Sequence, residues 1–212
     1  MADFSSANYW EDRYRSGGTS GAGSYNRLAR FKAAFINEFV ALNNISTVIE
    51  FGCGDGNQAN QLRIPHYTGV DVSPTALARC RKLCSQSDYL FIAPEELANT
   101  SMADLTLSLD VIFHLVEDDV FAKYIQNIFT FALRYVIIYS SDKDASHPAQ
   151  HVRHRHVSAY VRQMYPEWRY LAKIPNIYPA DPARPDETSF ADFMIFGREP
   201  GPCRLLVPAL EI

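Results

Sequence analysis

The sequence predicts an α/β fold in which helices cover both faces of a mainly parallel β-sheet. Apolar, β-branched runs typical of buried strands alternate with runs whose apolar residues recur every three or four positions, as in amphipathic helices. A cluster of three glycines directly follows the first buried strand. The 212 residues suffice for one domain with a substantial core, and no repeat or interdomain linker divides them. We therefore expect a single domain over residues 1–212.

The composition is that of a soluble globular protein. Hydrophobic residues make up 47% and charged residues 21% of the chain, and both fractions are ordinary for this class. A net charge of −4 disfavours nucleic acid and anionic membranes as partners. The sequence contains neither an apolar run of membrane-spanning length nor a signal-peptide layout, so we expect a cytoplasmic protein. The four cysteines suit neither a disulfide framework nor a metal site, and we expect them to be reduced, with no metal bound.

The N-terminal segment, residues 1–25, is predicted to be a lid. Two tyrosines and a tryptophan fall within residues 9–14, which suit a short helix. The glycine-rich stretch 17–23 suits a mobile loop, because glycine holds regular structure poorly. A frayed terminus is the alternative, but frayed termini rarely carry so many aromatic residues. We expect the segment to fold over a pocket.

The remaining elements follow from periodicity and end signals. Ser73 before Pro74 is a helix-capping signal, and the acids at 117–119 suit the positive end of a helix dipole. Helices are predicted at residues 26–42, 58–62, 74–83, 117–133 and 157–164. Strands are predicted at residues 47–51, 67–70, 89–93, 105–113, 135–139, 168–174 and 189–197.

The glycine turn and a later carboxylate predict a nucleoside site. Gly52, Gly54 and Gly56 stand at alternate positions after the first strand, so the backbone there can turn sharply and lie against a ligand. Asp71 closes the next strand, where a carboxylate can accept hydrogen bonds from ribose hydroxyls.

The residues around the turn favour a positively charged ligand over a dinucleotide. A dinucleotide turn needs a third glycine where this chain has Asn57. Glu50, within the strand, would sit badly beside a pyrophosphate but suits an α-amino group and a sulfonium. No Gly-Lys-Ser/Thr follows, which excludes a P-loop. An NAD-dependent oxidoreductase stays an alternative against which Asn57 and Glu50 argue.

Residues 47–139 resemble the class I S-adenosyl-L-methionine-dependent methyltransferases. Residues 50–56 resemble their first motif, Asp71 the acid that binds the ribose, and residues 108–115 the fourth-motif strand and its exit. The resemblance implies S-adenosylmethionine as cofactor and a Rossmann-like, doubly wound, seven-stranded sheet whose last strand is antiparallel. It implies a cofactor-binding core at 26–140 and an acceptor-side segment with a closing β-hairpin at 141–212.

The same resemblance implies a set of cofactor-binding residues. Val72 would lie beside the adenine, and the third-motif stretch that includes Glu95 would contact it. Trp10 and Arg13, in the lid, would close over the sulfonium and meet the cofactor carboxylate, although packing of this helix onto the sheet is the alternative. The full set is Glu50, Gly52, Cys53, Gly54, Gly56, Asp71, Val72, Glu95, Trp10 and Arg13.

A hydroxyl acceptor needs a base, and histidine suits neutral pH. His114 is the first candidate because it leaves the fourth strand at its carboxyl end, where open α/β sheets place ligands; a structural histidine is the alternative. Asp110 interrupts an apolar strand, and an unpaired buried carboxylate is costly, so we expect it to face the site. His154 belongs to a second histidine cluster, in which alternation would point His154 and His156 the same way.

The acceptor is the least defined part of the prediction. Arg153 and Arg155 suit recognition of an anion on the substrate. The order of the motifs also resembles a bacterial subgroup associated with surface glycans and secondary metabolites, which favours a sugar or another small-molecule hydroxyl. N-methylation of an amine or a protein side chain, and a catalytically idle binding module, are the alternatives.

Overall fold

The computed structural model describes residues 4–86, 88–198 and 203–205, which fold around one seven-stranded sheet. The strands are β1 (Thr47–Phe51), β2 (His66–Val70), β3 (Tyr89–Ile92), β4 (Ala103–Leu109), β5 (Ala132–Ser140), β6 (Arg169–Ile174) and β7 (Asp192–Gly197). Their order in the sheet is β3-β2-β1-β4-β5-β7-β6. Strands β1 to β5 pair in parallel, and β7 lies antiparallel between β5 and β6. The predicted mostly parallel sheet with an antiparallel last strand is confirmed.

Helices cover both faces of the sheet. They are α1 (Ser6–Arg15), α2 (Asn26–Leu42), α3 (Pro74–Leu83), α4 (Asp118–Thr130) and α5 (Val157–Met164). Each face of the sheet has its own apolar core. Alternate residues of one strand pack into opposite cores: in β5, Ile137 packs on one face and Ile138 on the other. This alternation is why the strands appear in the sequence as continuous apolar runs.

Several predicted boundaries differ from the structure. The helix predicted to reach residue 133 ends at Thr130 because β5 starts at Ala132, and the last strand starts at Asp192 rather than at residue 189. Two further differences alter the carboxyl edge of the sheet. The stretch 58–62 forms only a short 3₁₀ turn, Ala59–Gln61, because Pro65 leaves little room before the next strand. The fourth strand ends at Leu109 rather than at residue 113, since Asp110 has a left-handed backbone (φ 61°) that cannot continue a strand. A 3₁₀ turn, Ile112–His114, follows. Both changes fall at the carboxyl edge of the sheet.

The N-terminal segment packs across that same edge. Glu11 in α1 accepts hydrogen bonds from the hydroxyls of Ser73 (2.6 Å) and Thr75 (2.7 Å) at the start of α3. At the start of α1, Ser6 donates its backbone N–H to Glu117 (2.7 Å). The helix is therefore fixed at its first residue and at its middle over the carboxyl edge. None of the helices in the described part of the chain is long and apolar enough to cross a membrane.

Candidate active site

A cavity of about 400 Å³ lies between the carboxyl edge of the sheet and α1. The glycine turn, the end of β2 and the first residues after β4 form its floor. From α1, Ser6, Ala7, Trp10 and Tyr14 close it from above. Helix α4 contributes one side. The segment predicted as a lid is therefore the roof of the cavity.

The glycine turn is shaped by positive backbone angles. Gly52, Gly54 and Gly56 have φ values of 76°, 60° and 85°, a region that strains other residues. A Cβ on Gly52 would lie 2.4 Å from a methyl carbon of Val111, and one on Gly54 would lie 2.3 Å from the hydroxyl oxygen of Ser20. The first two glycines line the cavity, whereas Gly56 packs against α3.

Two buried carboxylates face this cavity. Asp71 accepts hydrogen bonds from the backbone N–H groups of Gly54 (2.8 Å) and Ser73 (2.9 Å), yet burial raises its pKa to about 6. Burial likewise raises the pKa of Glu50 to about 7, against the lowering effect of a 2.6 Å hydrogen bond from the Tyr67 hydroxyl. Both groups are held away from water and lack a full counter-charge, so a cationic ligand would be stabilised here.

An unpaired buried acceptor also lies on this cavity. The side-chain amide of Gln58 donates to the carbonyl of Ala29 (3.1 Å), which fixes its orientation. Its Oε1 is buried and has no hydrogen-bond partner among the described residues. An unpaired buried acceptor is costly, and a bound ammonium group would satisfy it. With Glu50 and Asp71, this acceptor fits the α-amino group, the sulfonium and the ribose hydroxyls of S-adenosylmethionine.

Most of the predicted cofactor residues lie on the wall of this cavity. They are Trp10, Glu50, Gly52, Cys53, Gly54, Asp71 and Val72. The other three do not line it. Glu95 is exposed, and its neighbours Pro94 and Leu97 line the cavity instead. Arg13 lines a second chamber instead, and Gly56 packs against α3.

The second chamber, of about 240 Å³, adjoins the first. Trp10, Ser20, Asp110 and His114 line both cavities. Its remaining walls come from the lid, from His151 and from the loop before β7, including Phe190. Two neighbouring chambers with a shared wall suit a reaction between two bound molecules.

His114 is a neutral imidazole on the shared wall. Its Nδ1 lies 3.0 Å from the backbone oxygen of His151, and a carbonyl only accepts, so Nδ1 carries the proton. No group among the residues that the structure describes hydrogen-bonds to Nε2, so its lone pair is free. Burial, with a smaller contribution from the charge of Arg13, lowers the pKa of His114 to about 4 against the raising effect of the bond to His151. The histidine is therefore unprotonated at neutral pH.

Asp110 also lies on the shared wall, but it has a buried partner that the sequence did not suggest. The ammonium of Lys32, fully buried in α2, is 2.5 Å from its carboxylate. The only sequence signal was a lysine within the apolar stripe of a helix. The left-handed backbone of Asp110 turns the side chain toward this lysine.

Within the second histidine cluster, residues 151–156, His151 lines the second chamber, whereas His154 and His156 lie outside both cavities. His154 is buried behind the ring of Phe190, with its Nδ1 2.7 Å from the Ser141 hydroxyl, and it lines neither chamber. His156 is about half exposed, so the expected common direction of the two side chains is wrong. The strand-like alternation fails because this stretch is a loop that leads into α5.

Arg153 and Arg155 do not form an anion site. Both guanidinium groups pair with Asp118, at 3.0 and 3.1 Å. Arg155 also donates to the carbonyls of Leu115 and Val116. Their donors are used to fix the start of α4, and this corrects the role expected from the sequence.

Tyr14 belongs to the aromatic cluster that predicted the lid, whereas Ser20 and Tyr124, which line the same cavity, carried no sequence signal. Tyr14 is buried, and its hydroxyl lies 2.9 Å from that of Ser20, which in turn accepts from the backbone of Asp55 in the glycine turn (2.9 Å). Tyr124, from α4, donates to the carbonyl of Phe51 at the end of β1 (2.7 Å). Only the packing of distant elements places Ser20 and Tyr124 on the cavity wall.

Comparisons with known proteins agree with this geometry. A family model described as a methyltransferase domain matches residues 48–132, the stretch that holds the glycine turn and Asp71. No curated protein matches the sequence significantly.

Solved structures share the fold at low identity. Magnesium protoporphyrin IX methyltransferase from Synechocystis PCC 6803, with bound S-adenosylmethionine, has a TM-score of 0.65 at 15% identity, over 94% of this chain and 100% of that one. N-methyltransferase NodS from Bradyrhizobium japonicum WM9, with S-adenosylhomocysteine, has a TM-score of 0.68 at 14% identity, over 91% and 98%. The mitomycin 7-O-methyltransferase MmcR has a TM-score of 0.60 at 15% identity, over 88% and 56%.

At these identities the solved structures show the fold alone, and the family match adds the methyltransferase assignment. The glycine turn, the two carboxylates and the paired chambers agree with both. Residues 48–132 match a methyltransferase domain, and the fold and the S-adenosylmethionine or S-adenosylhomocysteine bound in the similar structures support a methyltransferase that uses S-adenosylmethionine.

Proposed function

We propose that this protein methylates a hydroxyl group of a small molecule bound in the second chamber, with His114 as the base. The observation that carries the proposal is the free Nε2 lone pair of His114 on the wall between the two chambers. A sugar or glycan precursor, the acceptor expected from the sequence, belongs to this class.

The residues of the chain would divide the work between the chambers. S-adenosylmethionine, when bound, supplies a methyl carbon activated by a sulfonium leaving group. Glu50, Asp71 and Gln58 would hold its polar groups in the first chamber. Trp10 would exclude water from the junction, since it lines both cavities. His114 would take the proton from the hydroxyl as the oxygen attacks.

Asp110 supports this arrangement as a positioning residue. Its ion pair with the buried Lys32 fixes the first residue after β4. The 3₁₀ turn that carries His114 starts two positions later. His154, the other histidine predicted to be catalytic, has no comparable support, because it lines neither chamber.

The test is to replace His114 by glutamine, whose amide can still donate to the His151 carbonyl. Cofactor affinity is measured by calorimetry with S-adenosylhomocysteine, and turnover by transfer of a tritiated methyl group to sugar nucleotides, phenols and amines. We expect turnover on a hydroxyl acceptor to fall by about 10²- to 10⁴-fold with the cofactor Kd unchanged. His156→Asn, at a half-exposed histidine outside both chambers, is the matched control and should keep full turnover.

An amine acceptor would give a different result. Its nitrogen needs to be deprotonated but does not need a base on the protein, so the glutamine variant would keep most of its turnover. That outcome, with amines as the only methylated compounds, would overturn the proposal in favour of N-methylation.

A further inference from the structure

Six aromatic side chains contribute to the lining of the second chamber: Tyr9, Trp10, Phe113, His114, His151 and Phe190. Tyr9 stacks on His151 with ring centroids 4.7 Å apart, and His151 stacks on His114 at 5.4 Å. Trp10 meets His114 edge-on at 4.9 Å. On the other side, Phe190 meets its neighbour Phe113 edge-on, also at 4.9 Å. The ring of Phe113 also lies against that of His114, with centroids 4.5 Å apart, so the rings form one continuous aromatic lining against which a flat molecule can pack.

Four of the polar side chains that line this chamber are already engaged with protein groups, which leaves those of Tyr9, Arg13, His114 and His151 to meet a ligand. The hydroxyl of Thr188 donates to the backbone of its own loop (2.7 Å), and that of Ser189 accepts from Ala191 (3.1 Å). Ser20 bonds to the roof and to the glycine turn, and Asp110 is paired with Lys32. A sugar ring carries several hydroxyls, and burying them without partners is costly. The walls therefore suit an aromatic ring better than a sugar.

One cation faces this chamber without a carboxylate partner. Arg13 donates its Nε–H to the carbonyl of Thr19 (2.7 Å), and its guanidinium lies 5.6 Å from the ring centre of Trp10. Within residues 4–86, 88–198 and 203–205, no carboxylate forms an ion pair with it. Its neighbour in the same helix, Arg15, pairs with Asp12 (3.6 Å). Arg13 is thus free to bind an oxyanion.

We propose that the second chamber takes a phenolic carboxylate: the ring packs against the aromatic lining, the carboxylate meets Arg13, and the phenol faces His114. This inference rests on the proposed function and names its substrate class. The phenol oxygen bonds to the methyl carbon as the carbon–sulfur bond breaks. The phenol proton passes to Nε2 of His114, and the sulfur leaves as a neutral thioether.

The basicity of His114 agrees with this class. A base whose pKa is lowered to about 4 removes a proton from a phenol, with a pKa near 10, far more readily than from a sugar hydroxyl. A carboxylate on Arg13 would also offset the positive charge that lowers this pKa.

The inference is tested with 3- and 4-hydroxybenzoate against the matching hydroxybenzamides, which keep the ring and the phenol but lose the charge. Binding is titrated by calorimetry in the presence of S-adenosylhomocysteine, and methyl transfer is measured separately. We expect a hydroxybenzoate to bind at least about tenfold more tightly than its amide and to be methylated on oxygen.

Arg13→Gln should abolish this preference for the acid and leave the Kd of S-adenosylhomocysteine unchanged. Arg15→Gln, at the exposed and paired neighbour, should leave the preference intact. An equal preference in Arg13→Gln and the unchanged protein, or no binding by either hydroxybenzoate, would overturn the inference. Methylation of a sugar that depends on His114 would overturn it while the proposed function stands.

Discussion

Burial shifts the pKa values of side chains in the two chambers in opposite directions. In the first, burial raises the pKa values of Glu50 and Asp71 to about 7 and about 6. In the second, burial lowers the pKa of His114 to about 4 and also lowers that of His151. Burial disfavours the charged form of both kinds of group, but the consequences for binding differ. A bound cation would stabilise the ionised acids, whereas the imidazoles stay neutral. Under the proposed assignments, the first chamber would select its ligand by charge and the second by ring contacts and one arginine.

Among the predicted variants, Gly54→Ala should have the largest effect, which is on cofactor binding in the first chamber. The new Cβ would lie 2.3 Å from the Ser20 hydroxyl at a backbone angle of 60°, so the turn would move away from both the roof and Asp71. We expect S-adenosylhomocysteine to bind at least about 100-fold more weakly by calorimetry, which is ~2.7 kcal/mol.

Gly17→Ala is the matched control for this effect. Gly17 has a similar positive angle (89°), but nothing lies within 4 Å of a Cβ there. It should cost about 1 kcal/mol of stability and leave the Kd unchanged. Equal losses of affinity in the two variants would show that backbone strain, and not the shape of the turn, governs cofactor binding.

The pH dependence of cofactor affinity is the second way to separate the chambers. A ligand that carries a sulfonium and an ammonium binds more tightly when Glu50 and Asp71 are ionised. The affinity for S-adenosylmethionine should therefore fall as the pH drops from 8 to 5.5, by up to about tenfold per unit below the higher pKa. S-adenosylhomocysteine, without the sulfonium charge, should show a shallower fall. An equal fall in affinity with pH for the two ligands would contradict a role for the sulfonium charge.

The Glu50 carboxylate should also make the stability of the folded protein depend on pH. The pKa of Glu50 is higher in the folded protein than its ordinary 4.5, so the folded state binds more protons between pH 4.5 and 7 and loses stability as the pH rises through that range. Glu50→Gln should then raise the free energy of unfolding at pH 8 by roughly 1–3 kcal/mol, with no gain at pH 4.5. Denaturant unfolding at the two pH values checks this, and a loss at pH 8 would contradict it.

The smallest effect on catalysis is expected from the paired arginines beside the second chamber. Arg155→Ala removes the side-chain donor of the Leu115 carbonyl, while the Val116 carbonyl keeps the one from Arg153, and should cost about 1–3 kcal/mol of stability. Arg153→Ala, at an exposed ion pair, should cost under about 1 kcal/mol. Neither should change the acceptor KM. A raised KM with unchanged denaturant unfolding would instead restore the anion-binding role predicted from the sequence.

The sequence by itself determined the fold class and the cofactor. Alternating buried strands and amphipathic helices define a parallel sheet because these patterns arise from local periodicity. The glycine turn and Glu50 are contiguous, and Asp71 ends the neighbouring strand, so their proximity follows from parallel pairing of β1 and β2 alone. The site residues that depend on such short-range relations could be named in advance.

Only the tertiary structure decided the second chamber. His114 and His154 were both plausible bases in the sequence, and packing alone puts the first on the shared wall and the second behind Phe190. Lys32 meets Asp110 across 78 positions, and no local pattern encodes that pair. Burial, ion pairing and the choice among histidines depend on contacts between distant segments. Local sequence patterns therefore predict the cofactor site, whereas the acceptor site depends on how the lid and the loops pack.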